Sequence, residues 1–486
     1  MFKKKKIKTE AFVNELTYIK KCFSKEKQKN ILPISIWIIS IFLILIVWFW
    51  FFSQISKLQF TLDSFLDITG FNINFEEVSS AKNIKKSPDW KTNILIIGRW
   101  WQENEAPELT DSILLASINY DKKTISMFSV PRDLYVEYPT DWWWKINETY
   151  FRWLRKNNNN IEWINALNEV LGKITWEEIH YFINLDFEWF RKIIDTIWWI
   201  DINVPEDIVD TTYPWPNYSY QTFKIKSWPQ VLDWETALKY ARSRHSTSDF
   251  DRSIRQQLII KAIREKVLSL WLLANPSKVK SLYSIVKEHI ISDMDLSQMI
   301  SLALFLKDIP KQNIVSSNLN DSCFYWSNVC EKGWFLYVPL RADFGWASVL
   351  LQNWWTKSNP SNYDELMKYT NIIFNYPLVY SENLKINVFN STKISWLAND
   401  VADSLKKYWF NVPEKSSVWN TAWEKYEKSK ILYTSWSGWL IPETVEALEL
   451  FIFGWSQNVE ILPKYSKDPD TKIEIIIWDD YKLLNF

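Results

Sequence analysis

Three stretches of the chain gather side chains able to handle phosphate. "LTDSILLAS" places Asp111 at the mouth of an apolar run, and "FSVPRDLYVEYP" places Arg132 and Asp133 just past another. "LKYARSRHSTSDFDRSIRQQ" brings Arg242, Arg244, Asp249, Asp251, Arg252, Arg255 and Gln256 within fifteen residues. Guanidinium groups match phosphate oxygens in bidentate fashion and stay charged, which suits a doubly charged phosphate ester. Carboxylates beside them can hold a magnesium ion, which keeps water, one or two acidic ligands and phosphate oxygens. Taken singly, each piece has a plainer explanation. An Arg-Asp pair after Pro forms a salt-bridged turn, Arg–Asp pairs on a helix are ordinary surface chemistry, and a lone Asp111 serves as a cap. The number of arginines in one short span is what favours phosphate.

These residues need elements to place them. "NILIIG", "SILLASI" and "TISMFSV" are short apolar runs bounded by turn signals, as buried strands are. Helical periodicity is predicted over Ile161–Leu171, Phe187–Ile194, Ile254–Leu273 and Val279–Leu306. Strands alternating with helices indicate an α/β domain with helices covering a sheet. Within it, Asp249, Arg252 and Gln256 share one face if their segment is helical. Arg242 and Arg244 alternate along an expected strand and point the same way. After Pro377 a smaller α/β pattern begins: "NLKINVFN", a helix from Ser395 to Lys407, "KILYTS", a helix around Pro442–Phe453, then "VEILPK" and "KIEIII". The sequence has no internal repeat.

The chain has 486 residues, long enough for two domains with their own cores. Its 57 Lys+Arg balance 57 Asp+Glu, which argues against nucleic-acid binding. Residues 1–30 form a basic tail, and Ile31 to Phe52 carry no charge over a bilayer-spanning length. The basic flank predicts a cytoplasmic N-terminus. With no small-residue cleavage site after it, the span is expected to be an uncleaved signal anchor in the plasma membrane. The expected organisation is then a polar stalk over 53–90, a first domain over 91–375 and a second over 376–486, all extracytoplasmic. Three Cys exclude a disulfide scaffold. Cys323 and Cys330 either close a small loop or stay as thiols, and with three His in the chain a zinc site there is not expected.

The composition holds one anomaly. There are 7 Gly and 32 Trp, where a chain of this length ordinarily has roughly 34 Gly. The tryptophans form runs at 100–101, 142–144, 198–199 and 354–355, and flank turns as in "KKYWFNVP". Positive-φ turns select glycine, and an indole has no advantage there. "KKYWFNV" reads as a helix ended by glycine at C′ and followed by a strand. Many residues written Trp are therefore expected to be glycine, as in bacterial lineages that reassign UGA. A truly Trp-rich stacking surface is the competing reading.

In order along residues 91–270, "NILIIG", "TDSILLAS", "SVPRDLYV", "KINETY", "FRKIIDTIWWIDINV", "LDWETALKYARSR" and "DFDRSIRQQ" resemble the LytR–CpsA–Psr family of cell-wall glycopolymer transferases. The family has Gly-Gly at Trp198-Trp199 and glycines matching Trp144 and Trp234. Residues from 376 onward resemble the LytR C-terminal domain. The resemblance implies a membrane-anchored α/β domain with a central mixed sheet covered by helices, and a phosphotransferase. Its substrates would be a polyprenyl-pyrophosphate-linked glycopolymer and peptidoglycan, joined as a phosphodiester. Carried over by position, Asp111 would be a catalytic or metal-binding carboxylate for Mg2+ or Mn2+. Arg132 and Arg244 would be catalytic and, with Arg242 and Arg252, would grip the pyrophosphate. Asp249 and Gln256 would complete the polar shell, and Asp133 would orient Arg132. One departure is that "GRWWQENEAPELTD" has no Asp between Gly98 and Asp111 where the family has a second acidic metal ligand; either Glu103 or Glu105 takes its place, or metal binding rests on Asp111 and the lipid phosphates. A lipid-binding regulatory protein without turnover and a pyrophosphate-lipid hydrolase would use the same arginines.

Overall fold

The structure is a computed structural model of the chain. It describes residues 82–99, 109–138, 143–152, 162–185, 187–215, 219–243, 249–267, 281, 284–285, 288–319, 335–353, 355–356, 362–413, 418–420, 428–434, 441–453, 459–463 and 473–478. Of the chain's two compact units, these residues belong to the one made of Ile73–Leu272 and Ser281–Phe486. The expected anchor over 31–52 and the pair Cys323 and Cys330 lie outside the described residues. Among the described residues no helix is long and apolar enough to cross a membrane.

The three apolar runs form strands β1 (Lys91–Arg99), β2 (Thr110–Asn119) and β3 (Thr124–Val130). They lie inside a six-stranded mixed sheet completed by β6 (Tyr181–Leu185), β11 (Ile290–Ser292) and β12 (Ile314–Asn318), in the order β11-β6-β1-β2-β3-β12. β1 pairs antiparallel with β2 and parallel with β6, and β3 pairs parallel with β12. Side chains alternate between faces with period two. Leu95, Ile97, Leu115 and Phe128 enter one core, while Ile94, Leu114, Ile118 and Met127 enter another on the opposite face. Burial of both faces explains why these strands read as unbroken apolar runs.

Helix α1 (Glu162–Thr175) covers the first face. α2 (Phe187–Thr196), α3 (Trp234–Arg242) and α4 (Asp249–Val267) gather with β7 (Ile200–Asn203) and β8 (Ile208–Trp215) around a third apolar cluster. Strand β9 (Ser219–Ile225) pairs with β8, and β10 (Pro229–Leu232) pairs with β7. Strands β4 (Tyr135–Glu137) and β5 (Trp143–Lys145) form a two-stranded ribbon beyond β3. The helical run expected over Val279–Leu306 instead contains β11, and helix α5 (Leu296–Lys307) starts only after it, under a capping box at Asp295.

After α6 (Asp364–Asn375) and the short α7 (Leu378–Glu382), a five-stranded sheet follows, with β16 (Val418–Asn420) at one edge, in the order β16-β15-β19-β17-β18. Its strands β15 (Ile386–Asn390), β17 (Lys430–Tyr433), β18 (Glu460–Pro463) and β19 (Ile473–Ile477) match the four apolar segments read from the sequence. Helices α8 (Leu397–Lys407) and α9 (Glu443–Phe453) flank it. The described residues on either side of 376 share one core. An aromatic chain runs through that core from β3 into α9. Phe128 meets Tyr369 of α6 at 6.2 Å, Tyr369 meets Tyr408 at 6.3 Å, and Tyr408 meets Phe451 at 4.4 Å.

The backbone is specific about the tryptophans. Of the nine non-glycine residues with positive φ among those described, seven are Trp: 90, 176, 198, 199, 346, 396 and 409. All seven are at least half exposed. Two sit at C′ of helices closed in the Schellman manner. Trp409 N–H donates to Lys406 and Phe410 N–H to Leu405 after α8, and Trp198 N–H donates to Asp195 and Trp199 N–H to Ile194 after α2. The helix stop read at "KKYW" is therefore present. The strand expected after it is not: the segment continues without a strand, and Asn411 accepts a hydrogen bond from Ile386.

Candidate active site

One cavity of about 700 Å³ lies between the central sheet and helices α2, α3 and α4. Its floor comes from alternate residues of adjacent strands: Ile96 and Gly98 of β1, Ser112 and Leu114 of β2, and Ile183 and Leu185 of β6. Gly98 has a local reason to be glycine, since a Cβ there would stand 3.3 Å from Ser112 Cβ. The opposite wall carries Phe190 of α2, Leu238 of α3, and Ile259, Ile260 and Ile263 of α4. Most of the lining is aliphatic or aromatic, and its charged groups come from the end of β3, from β8 and from helices α3 and α4. This combination of an apolar body with a few convergent polar groups is the usual form of a small-molecule site.

Arg132, Arg242, Arg252 and Gln256, expected together from the sequence, all line this cavity. Arg132 follows Pro131 at the end of β3. Its loop is tied down by Leu350 N–H donating to Asp133 O at 2.9 Å and by Asn147 N–H donating to Arg132 O at 3.2 Å. Arg132 Nε stands 3.8 Å from Asp133 Oδ2, and Lys145 Nζ donates to Asp133 Oδ1 at 3.0 Å. Asp133 thus sits between two cations, with Lys145 the nearer of the two. Arg252 and Gln256 are one helical turn apart on α4, on one face as their spacing requires. Arg252 is buried, and the Gln256 side chain lies 3.0 Å from Ser112 Oγ, which donates to Gln256 Oε1.

Arg242 corrects the sequence reading. It is the last residue of helix α3, not part of a strand, so the alternation argument for Arg242 and Arg244 does not hold. The helix begins at Asp233, whose side chain accepts from Thr236 N–H at 2.8 Å, an N-cap visible in "DWET". The Arg242 guanidinium lies 5.5 Å over the Tyr213 ring, and burial raises the Tyr213 phenol so that it stays protonated. Arg244 lies outside the described residues. For Asp111 and Asp249 the backbone alone is described: Asp111 near the start of β2, next to Ser112 in the cavity floor, and Asp249 at the start of α4.

Several cavity residues were not assigned a role from the sequence. Gln257, fully buried, donates from Nε2 to Ser129 Oγ at 2.8 Å and to Ser317 O at 2.9 Å. Asp210 of β8 also lines the cavity. Its only sequence signal was a carboxylate inside an otherwise strand-like "DIVDTTY", which does not identify a partner.

A divalent ion finds no protein cage among the described residues, where no group of three or more His, Cys, Asp or Glu converges. The described carboxylates of the cavity are engaged elsewhere, Asp133 by Lys145 and Asp210 by Ser243 and Thr212. The remaining ligands would be Asp111 and the phosphates of a substrate, a donor set magnesium accepts.

A mixed sheet covered by helices, with an arginine-headed apolar cavity at its strand ends, defines the class. The chain belongs to the LytR_cpsA_psr family, whose profile matches residues 66–343. The polyisoprenyl-teichoic acid–peptidoglycan teichoic acid transferase TagV of Bacillus subtilis (strain 168) is 23% identical over 221 residues, 44% of this chain and 53% of TagV. The transferase of the same description, TagU, of Enterococcus faecalis (strain ATCC 700802 / V583) is 24% identical over 258 residues, 51% of this chain and 76% of TagU. The chain thus spans about half of TagV and three quarters of TagU. A solved structure of TagT bound to LIIa-WTA aligns with 61% of this chain and 96% of its own, at 18% identity and a TM-score of 0.43.

Proposed function

We propose that this protein transfers a glycopolymer from a polyprenyl-pyrophosphate carrier onto peptidoglycan as a phosphodiester. The observation that carries the proposal is the cavity itself: Arg132, Arg242 and Arg252, with a few uncharged polar groups and two carboxylates, line a space whose walls are mostly aliphatic and aromatic. An amphiphile with two phosphates on an apolar tail has that distribution of charge. The names of TagV and TagU describe such a transfer for those relatives.

In the reaction, a peptidoglycan hydroxyl attacks the phosphorus that bears the glycan. The P–O–P anhydride bond breaks, polyprenyl monophosphate leaves with the negative charge, and the hydroxyl proton passes to that leaving phosphate or to water. The arginines hold both phosphates and neutralise the charge that builds on the leaving oxygen, so catalysis is positioning plus electrostatics. The aliphatic walls keep water from the lipid side of the anhydride. A magnesium or manganese ion held by Asp111 and the substrate phosphates would add further charge neutralisation.

The test is wall-attached polymer in cells lacking other family members. Arg132→Ala and Arg244→Ala should abolish attachment, and unchanged attachment refutes the proposal. A binding protein would retain lipid without turnover, and a hydrolase would release polymer without peptidoglycan.

Three finer readings belong with this proposal. The span over 31–52 anchors the protein in the plasma membrane with the N-terminus cytoplasmic, keeping the cavity near its lipid. Residues 376–486 form a LytR C-terminal-like domain. The tryptophans at positive φ are glycine in the protein as translated; supporting this are their left-handed backbone, their exposure and the places of Trp198 and Trp409 at helix C′ positions. Peptide sequencing of the protein from its own membranes decides the last point.

A further inference from the structure

At the edge of the cavity, reached through Asp210, lies a buried polar assembly with no assigned role. Asp210, Ser243 and Arg255 are 1%, 0% and 4% exposed. Ser243 Oγ donates to Asp210 Oδ2 at 2.8 Å, and Thr212 N–H donates to Asp210 Oδ1 at 3.1 Å. Arg255 Nε donates to Tyr240 O at 3.0 Å, and its Nη2 donates to Ser243 O. Ser243 is the C-cap of α3, immediately after Arg242. The last carbonyls of a helix lack partners within the helix, and a buried one needs a donor. Arg255 supplies it to two of them, and its positive charge also suits the negative end of the α3 dipole.

The strand facing this helix end is irregular. Between Asp210 and Tyr213 the pairing of β8 with β9 shifts, with Asp210 opposite Phe223 and Tyr213 opposite Gln221. Three steps on β8 therefore match two on β9, which is a β-bulge. In a regular strand, residues three apart point to opposite faces. With the extra residue, Asp210 and Tyr213 are both buried toward α3, and the Thr212 N–H of the bulge is taken up by the Asp210 carboxylate. One stretch of β8 thus grips Ser243 through Asp210 and carries the Arg242 guanidinium on the Tyr213 ring.

We propose that Asp210 and Arg255 are positioning residues that clamp Ser243 from its side chain and its carbonyl, and so fix Arg242 in the head of the cavity. The proposal rests on the reading that this cavity holds a polyprenyl pyrophosphate. Arg255 does not line the cavity, and the Asp210 carboxylate is held by Ser243 and Thr212, so in this proposal both act through Arg242.

The test measures binding of a polyprenyl pyrophosphate, with the corresponding monophosphate as control, to the full-length chain in detergent. Ser243→Ala removes one oxygen from a buried site and is the least disruptive variant. Arg255→Lys keeps the charge but cannot span two carbonyls. Each is made alone and together with Arg242→Ala. The clamp predicts that Ser243→Ala weakens pyrophosphate binding by about fivefold to tenfold, with a smaller effect on the monophosphate. In the Arg242→Ala background the same change should cost nothing further, because the effect travels through Arg242. Equal losses in both backgrounds, or no loss in either, overturn the proposal. Amide exchange over residues 239–243 separates the two ideas. If the wild type binds no polyprenyl pyrophosphate, the lipid reading fails. Exchange that rises in Ser243→Ala only over 239–243 then still upholds the clamp, and unchanged exchange rejects it.

Discussion

Replacing Trp90, Trp176, Trp198, Trp199, Trp346, Trp396 and Trp409 with glycine should raise the melting temperature of the chain, although removing large apolar side chains ordinarily lowers it. The seven side chains are 51–83% exposed, so little packing is lost. Their φ values, 56° to 69°, lie in the left-handed region. There a residue with a Cβ costs about 1–2 kcal/mol. Glycine gives back about 0.4–1 kcal/mol per position through its freer unfolded chain. The balance over seven positions is a gain of roughly 5 kcal/mol for the glycine form. That is as large as the total stability of many domains, about 5–15 kcal/mol. The assay is thermal unfolding and protease resistance of two full-length proteins in the same detergent, one with Trp and one with Gly at these seven positions. The glycine form should melt about 10 °C higher or more, or be the only one that folds. A tryptophan form that melts at the same temperature or above would refute the reasoning.

Three further outcomes are expected. His180 accepts the Asn93 N–H at Nδ1, 3.0 Å away, and burial lowers its pKa. A folded pKa below the unfolded value, near 6.5, gives stability that is present above that pH and lost as pH falls; unfolding between pH 7.5 and 5 should therefore show a steeper decline in the wild type than in His180→Gln. Glu443, whose pKa burial raises, receives hydrogen bonds from Lys122 Nζ and Leu378 N–H, joining α9 to the β2–β3 turn and to α7. Glu443→Ala should cost about 2 kcal/mol in denaturant unfolding and Glu443→Gln clearly less, because Gln keeps an oxygen that accepts both bonds, whereas equal effects would show that the carboxylate charge, which both variants remove, carries the contribution. On the proposed reading, in which the arginines hold the phosphates, chelation of divalent ions should slow transfer while leaving pyrophosphate-lipid binding largely intact; binding lost in parallel with transfer would place the ion in recognition instead.

Much of the frame was legible because burial on both faces writes a strand as an apolar run, and β1, β2, β3 and the C-terminal strands follow those runs. The spacing of Arg252 and Gln256 survived into the cavity because a helix preserves three- and four-residue intervals. Arg242 was misread: "YARSR" alternates like a strand, and the signal that overrides it is the Asp233 cap eight residues upstream of Tyr240's neighbour Ala241. β11 was hidden because three residues, "IIS", fit a helical stripe as well as a sheet edge. Asp210 and Arg255 were not assigned because their importance comes from a bulge and from helix-end carbonyls, neither of which leaves a pattern in residue types.

The aromatic chain from Phe128 through Tyr369 and Tyr408 to Phe451 has an evolutionary consequence. A detachable module can be lost, swapped or duplicated by recombination at its border. Here a break after Asn375 would leave the outer side of α6 and Tyr369 without cover, so shortened descendants would carry a sticky, poorly folded remainder. The C-terminal sheet of this chain therefore helps to hold α6, and through it the sheet that bears the cavity.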